Sequence, residues 1–256
     1  MQRTRHHRRP ASLFVLPMPK INQRWTVLPH DKLQALDERI MTVVGYLPMP
    51  LTRLPRRMTV VRLRHGGLVV FSAVALAEPD MAELERFGRP AFLVVPSDKH
   101  RLDARIWKDR YPGMQVVAPR GAGGRVADVV PVDSTAPDFD DPDVQFVAMP
   151  GTGEREAALV VTNRGRTTLV LNDVIGNIHD AKGLGGWFLG VMGFAGAEPR
   201  IPGIVKRLLI KDKAALREQL LRWAKDQSVA RVLVSHGDVI DANARDTLMK
   251  LAESLA

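Results

Sequence analysis

The chain contains no cysteine. That absence excludes disulfides, thiolate zinc sites, iron–sulfur clusters and a cysteine nucleophile. Any metal must therefore be held by histidine, carboxylate or backbone oxygen. Aromatic residues make up only 5% of the sequence, which leaves Val, Leu, Ile, Met and Ala to build the core. Long hydrophobic runs are also missing. The longest, Leu184 to Ala195, is broken by glycine and too short to span a bilayer. The Gly121–Gly124 and Gly183–Gly186 stretches do not fit G-x-G-x-x-G and offer no acid to read a ribose, so no nucleotide cofactor is expected. There is no G-x-S-x-G elbow and no Walker lysine motif, which argues against a serine hydrolase and a P-loop enzyme.

Acid is absent from the first 30 residues, which hold Arg3, Arg5, Arg8, Arg9, Lys20 and Arg24. Most of the net charge of +9 thus sits in a leading segment, and the rest of the 256-residue chain is near neutral. We expect residues 1–24 to be a solvated, disordered basic tail and residues 25–256 to form one domain. A basic tail on a near-neutral body does not make nucleic acid an expected partner. The short apolar run Ala11 to Leu16 is cut by Pro17 and Pro19, with no small-residue cleavage site after it. The expected setting is soluble and cytoplasmic, and the oligomeric state is left open.

The body starts with strands. Ile40 to Gly45 and Met58 to Arg64 are rich in β-branched residues, and His65-Gly66-Gly67 reads as the turn into Leu68 to Val74. Pro79-Asp80 opens a helix carrying Met81, Leu84 and Phe87. Ala91 to Val95, a helix over about Lys99 to Arg110, and Gln115 to Ala118 make a strand–helix–strand unit of the kind that pairs in parallel. Residues 119–142 read as loop. Val144 to Ala148, Ala157 to Thr162 and Thr167 to Leu171 follow as strands, the last two forming a hairpin around Asn163-Arg164-Gly165-Arg166. Residues 176–205 are glycine-rich and read as loop. Asp212 is placed to cap a helix running to Lys225, with Leu216, Leu220 and Trp223 inward. Arg231 to Val234 is a buried strand, and Asp241 to Leu255 a closing amphipathic helix. This order suits an α/β protein in which two packed sheets carry helices outside.

Ligand-type residues follow three of these strands. They are Ser97-Asp98-Lys99-His100 with Asp103, then Asn172-Asp173, then Ser235-His236-Gly237-Asp238. Loops beyond strand ends are where a rigid sheet presents chemistry. Imidazole and carboxylate together suit zinc, manganese or iron. The spacing of His100 and Asp103 would put both on one face of a helix. Each residue also has a structural use, as helix cap or turn former. His179 is a further candidate.

The segments Val94-Val95-Pro96 to His100, Trp107, Tyr111-Pro112, Lys206 to Asp212, Trp223 and Val232 to Asp238 resemble the metallo-β-lactamase superfamily. The likeness is to a divergent branch of these metal-dependent hydrolases. It implies an αββα sandwich of two mixed sheets flanked by helices. In that superfamily a strand end carries His-x-His-x-Asp-His. Asp98, His100, Leu102 and Asp103 overlay its ligand positions, so one histidine remains. Met149-Pro150-Gly151-Thr152 overlays a Gly-His-Thr turn without its histidine. Asp173 and His236 resemble the bridging aspartate and the final histidine. The implied site is reduced: one divalent metal on His100, Asp173 and His236, with Asp98 or Asp103 orienting water for hydrolysis of a small molecule. The alternative is a catalytically inactive binding or structural module. The loop over residues 176–205 is expected to cover the site, where Trp187, Phe188 and Phe194 would make the pocket partly apolar; the same aromatics suit core or a dimer contact equally.

Overall fold

The computed structural model describes residues 21–49, 52–179, 190, 193 and 195–256. Six strands form the first sheet in the order β1 (Gln34–Ala35), β2 (Ile40–Met49), β3 (Thr52–Arg62), β4 (Gly67–Phe71), β5 (Arg89–Val94) and β6 (Gln115–Val117). Strands β1 to β4 pair antiparallel, and β4, β5 and β6 pair in parallel. The second sheet runs β10 (Val229–Gly237), β9 (Arg166–Asn177), β8 (Ala157–Asn163), β7 (Val144–Ala148), with only the β9–β10 pair parallel. Among the described residues, the helices are α1 (Glu78–Phe87), α2 (Ala104–Arg110), α3 (Arg120–Ala127), α4 (Gly203–Leu208), α5 (Lys213–Lys225) and α6 (Ala244–Glu253). None of the described helices is long and apolar enough to cross a membrane.

Strand side chains alternate between faces, and that alternation divides the core into layers. Val69 and Phe71, Phe92 and Val94, Leu159 and Val161, Val170 and Leu233 point between the sheets. Their neighbours Leu68, Val70, Leu93 and Val95 point the other way, against Met81, Leu84, Ile106, Trp107 and Val126 of the first three helices. Ala158, Leu169, Leu171, Val232 and Val234 meet Leu216, Leu220, Trp223, Leu248 and Leu251 on the far side. The result is the expected αββα sandwich of two mixed sheets.

Several boundaries differ from the sequence reading, each for a physical reason. Three glycines among its eight residues give α3 poor intrinsic propensity, so it reads as loop. It forms because Ala122 and Val126 bury against the first sheet. A Cβ at Gly121 would lie 2.3 Å from the Gly153 carbonyl, so the close approach needs glycine there. The helix expected from Lys99 starts only at Ala104. His100 and Asp103 thus do not share a helical face. Strand β9 runs six residues beyond Leu171, so Asp173 lies inside it. The hairpin between β8 and β9 turns on Arg164 and Gly165, both at positive φ (49° and 74°), as a tight primed turn demands. Asp212 caps α5 by accepting from the Ala215 N–H at 3.0 Å.

A buried carboxylate ties the two sheets together at one end. The Asp141 side chain is fully buried, pairs with the Arg39 guanidinium, and accepts the backbone N–H of Arg64 at 2.8 Å and of Asp143 at 3.0 Å. Burial opposes its ionisation, but the two backbone donors and Arg39 outweigh that and hold its pKa below the ordinary value. A depressed carboxylate contributes stability above its unfolded pKa and loses it as pH falls through the folded value. Asp141→Asn should lower the unfolding free energy by about 2–3 kcal/mol at neutral pH. The deficit should shrink below about pH 4. Urea unfolding at both pH values checks this, and an equal deficit at both would exclude the ionised carboxylate as its source.

Candidate metal centre

The parallel β9–β10 ladder slips in the middle. Leu171 faces Val234, but the next aligned pair is Gly176 with His236. Residues 172–175 of β9 therefore bulge against Ser235 alone. A bulge of this kind bends the strand and re-aims side chains. Here it turns the Asp173 carboxylate toward His236 and toward His100, which arrives from the turn after β5. Asp173 Oδ1 lies 3.0 Å from His100 Nε2 and 3.0 Å from His236 Nε2. The two rings meet edge to face, with centroids 5.2 Å apart. One ligand atom from each of the three residues lies within 4.8 Å of the others, and all three side chains are largely buried.

The outer nitrogens are also engaged. His236 Nδ1 is 2.6 Å from the Pro55 carbonyl oxygen, and His100 Nδ1 is 2.8 Å from Ser72 Oγ. A carbonyl only accepts, so the proton of a neutral His236 sits on Nδ1 and its Nε2 lone pair faces Asp173. The Nε2 lone pair of a neutral His236 and the Asp173 carboxylate oxygen need a proton or a metal ion between them, whereas His100 can either donate from Nε2 to Asp173, with the Ser72 hydroxyl donating to its Nδ1, or turn an Nε2 lone pair to the same point. The donor set, two imidazoles and one carboxylate with the rings oriented from behind, fits a divalent ion of the zinc, manganese or iron kind.

Ser72 reaches His100 at a conformational cost. Its φ is +57°, in the left-handed region that non-glycine residues seldom occupy, and it follows directly on the end of β4. Its N–H donates to the Val94 carbonyl at 3.0 Å, which holds the turn against β5. Arg57 of β3 steadies the other side. It is buried and donates to the carbonyls of Val234 at 3.2 Å and Gly237 at 2.7 Å, on either side of His236. Burial lowers its pKa, with Asp238 and Asp31 acting in opposition.

Beneath the centre lies a buried polar layer. Asn172 donates to Glu156 Oε1 at 3.1 Å and Oε2 at 3.0 Å, and to Ser97 Oγ at 3.2 Å. Its own oxygen accepts from Ser235 Oγ at 2.9 Å. The Asp173 N–H donates to Glu156 Oε2 at 3.1 Å. The two carboxyls part ways in charge. For Asp173, burial opposes ionisation, but His100 and His236 outweigh it and hold the pKa far below the carboxylate range. For Glu156, burial and the charge of Asp173 push the pKa well up, against the pull of Asn172 and the Asp173 N–H.

The cluster unites His100, Asp173 and His236 and omits the two carboxylates expected to orient water. Asp98 Oδ2 is held by Arg125 Nη1 at 2.9 Å and Arg155 Nη2 at 3.1 Å. Asp103 is fully buried, pairs with Arg56, and accepts from Asn22 Nδ2 at 2.6 Å and the Ala75 N–H at 3.3 Å. The sequence reading expects these two carboxylates to orient water; in the structure both pair with guanidinium partners and lie outside the three-residue cluster. His179 is exposed and outside the cluster. The Met149–Thr152 turn keeps its shape by docking on α5, with the N–H groups of Lys211 and Asp212 donating to the Gly151 carbonyl at 2.7 and 3.1 Å. Trp187, Phe188 and Phe194, expected to cover the site, lie outside the described residues. The sequence reading missed Ser72, Pro55, Arg57 and Glu156. Only the Arg56-Arg57 pair, directly before the apolar run from Met58, offered a signal, since a buried arginine must have partners.

No protein-family model matches the sequence, and a search among curated proteins finds no match either. Solved structures do match in shape. The DIM-1 metallo-β-lactamase exposed to ceftazidime is 12% identical with a TM-score of 0.59, covering 90% of this chain and 100% of that one. The FIM-1 metallo-β-lactamase from Pseudomonas aeruginosa, in its mono-zinc form, is 11% identical with a TM-score of 0.58, covering 89% and 96%. A metallo-β-lactamase from Erythrobacter litoralis, with β-mercaptoethanol in its active site, is 13% identical with a TM-score of 0.59, covering 87% and 96%. The chain therefore has the metallo-β-lactamase fold.

Glu156→Gln tests the charge assignment beneath the centre. A carboxyl with a raised folded pKa stabilises the fold below its unfolded value of about 4.3, and that contribution is lost as pH rises toward the folded value. Glutamine mimics the protonated acid and removes this dependence. In chelator-treated protein the variant should gain stability relative to the parent between pH 5 and pH 8, as about 1–2 kcal/mol in chemical unfolding. Parallel stability profiles for parent and variant would refute the raised pKa.

Proposed function

We propose that this protein is a metal-dependent hydrolase with a single-metal centre, in which His100, Asp173 and His236 hold one divalent ion, zinc, manganese or iron, and act on a small-molecule substrate. The observation that carries this reading is the convergence of both Nε2 atoms on one Asp173 oxygen, at 3.0 Å each. The FIM-1 structure, recorded in a mono-zinc form, is a precedent for one metal on this fold.

When bound, such an ion would supply Lewis acidity toward a substrate oxygen and toward water. The chain's own part is to hold and orient. Ser72 and the Pro55 carbonyl fix the outer nitrogens and so aim both Nε2 atoms inward. Asp173 supplies the anionic ligand oxygen, while burial and the charge of Asp173 push the Glu156 pKa well up and so disfavour a second buried charge beneath it. Asp98 and Asp103 have no place as proton acceptors in this scheme, because each is neutralised by arginine. The absence of cysteine fits a cytoplasmic setting.

A second reading rests on the same contacts. If both imidazoles carry two protons, Asp173 is a satisfied ionic hub and the domain is an inactive binding or structural module. Elemental analysis of untagged protein decides between them. We expect near one equivalent of metal per chain, falling at least tenfold in His236→Ala that remains folded. No metal in either protein would end the hydrolase reading and leave the module.

A further inference from the structure

Two guanidiniums converge on one oxygen of Asp98. Arg125 Nη1 lies 2.9 Å and Arg155 Nη2 3.1 Å from Asp98 Oδ2. The carboxylate is 4% exposed, while the Arg125 side chain is 64% exposed and that of Arg155 30%. One anion balances one of the two cations, so a positive charge is left over. Asp98 accepts from only one nitrogen of each fork. Among the described residues, the only hydrogen bonds from these two guanidiniums go to Asp98 Oδ2, and both side chains reach solvent.

This pair stands beside the proposed metal centre. Asp98 belongs to the turn that carries His100, closed by the His100 N–H to the Ser97 carbonyl at 3.2 Å. Arg155 immediately precedes Glu156, whose carboxyl accepts the Asp173 N–H. The Ala157 N–H to Pro96 carbonyl bond at 2.9 Å locks the two segments side by side. Helix α3, which carries Arg125, is tied to the same wall by the Gly121 N–H to Glu154 carbonyl bond at 2.8 Å. The nearby acids do not cancel the surplus. Glu154 is 3.7 Å from Arg120, and Asp128 is 3.9 Å from Arg101.

We propose that Arg125 and Arg155, braced by Asp98, form an oxyanion clamp that selects small substrates bearing a phosphoryl or carboxylate group for the centre built on His100, Asp173 and His236. Guanidinium forks suit such groups because they donate parallel, charge-assisted hydrogen bonds. A buried carboxylate behind them holds both forks without a conformational search, which lowers the entropy lost on binding. The proposal rests on reading that centre as catalytic, but the clamp's anion affinity can be measured without it.

The test is calorimetric titration of the full chain with inorganic phosphate and with acetate at low ionic strength. Saturable binding of phosphate, acetate or both is expected, and which of them binds identifies the oxyanion. Affinity should fall at least tenfold in Arg125→Gln/Arg155→Gln. Because that variant strands a buried carboxylate, Asp98→Asn/Arg125→Gln/Arg155→Gln is measured beside it, with circular dichroism to check folding. Arg164→Gln, an exposed arginine paired with Glu38, should bind as the parent does. No saturable binding of either anion to the parent, or equal affinity in the folded triple variant, would overturn the clamp. His236→Ala separates the two readings: loss of metal with anion binding intact supports both, whereas anion binding to a parent that carries no metal supports the clamp and removes the hydrolase.

Discussion

Four residues of β9 lie against one of β10, and the centre hangs on that mismatch. Without the slip, Asp173 would continue the ladder and its carboxylate would follow the strand's alternation. With it, the backbone of 172–175 is freed from regular pairing. Asn172 turns into the polar layer and Asp173 turns toward the two histidines. The cost of opening the ladder is offset by Glu156, which accepts the Asp173 N–H, and by Asn172, which fills its own bonding capacity from Ser97, Glu156 and Ser235. A buried network of this kind stabilises only when every member is satisfied. Among the described residues, the buried polar atoms without partners lie on Arg56, Arg101, Asn177 and Arg217, none of them in this layer.

Successive arginines on β3 divide the labour between layers. Alternation sends Arg56 to one face, where it meets Asp103, and Arg57 to the other, where it meets the carbonyls around His236. The same strand thus anchors the start of α2 and the end of β10. Asp103, read from sequence as a helper in catalysis, is one end of that anchor.

Much of the sandwich could be read from sequence because the strands are β-branched, the hairpin turns carry glycine, and α5 and α6 keep their leucines at helical spacing. What failed was local pattern under tertiary override. Glycines hid α3, which exists only because it packs. The polar pair Asn172-Asp173 looked like a turn because a bulge borrows turn residues while the strand runs on. Of the site, the two histidines and Asp173 were legible from their positions near strand ends. Ser72 and Pro55 were not, since neither a serine hydroxyl nor a backbone carbonyl carries a signature. The arginine partners of Asp98 and Asp103 were not legible, because a carboxylate's partner from a distant segment cannot be inferred from its neighbours.

Strand β3 is longer than the strand beside it. It pairs with β4 only over Thr59 to Arg62, so the half from Thr52 to Met58 overhangs. An overhanging β-edge is a template for another chain to add a strand, and so a route to aggregation. Pro55 removes an N–H from that edge, and its carbonyl is taken by His236. The Arg57 side chain, two residues on, lies buried against β10. The residues that hold the histidine in place therefore also deny the edge to a neighbouring molecule.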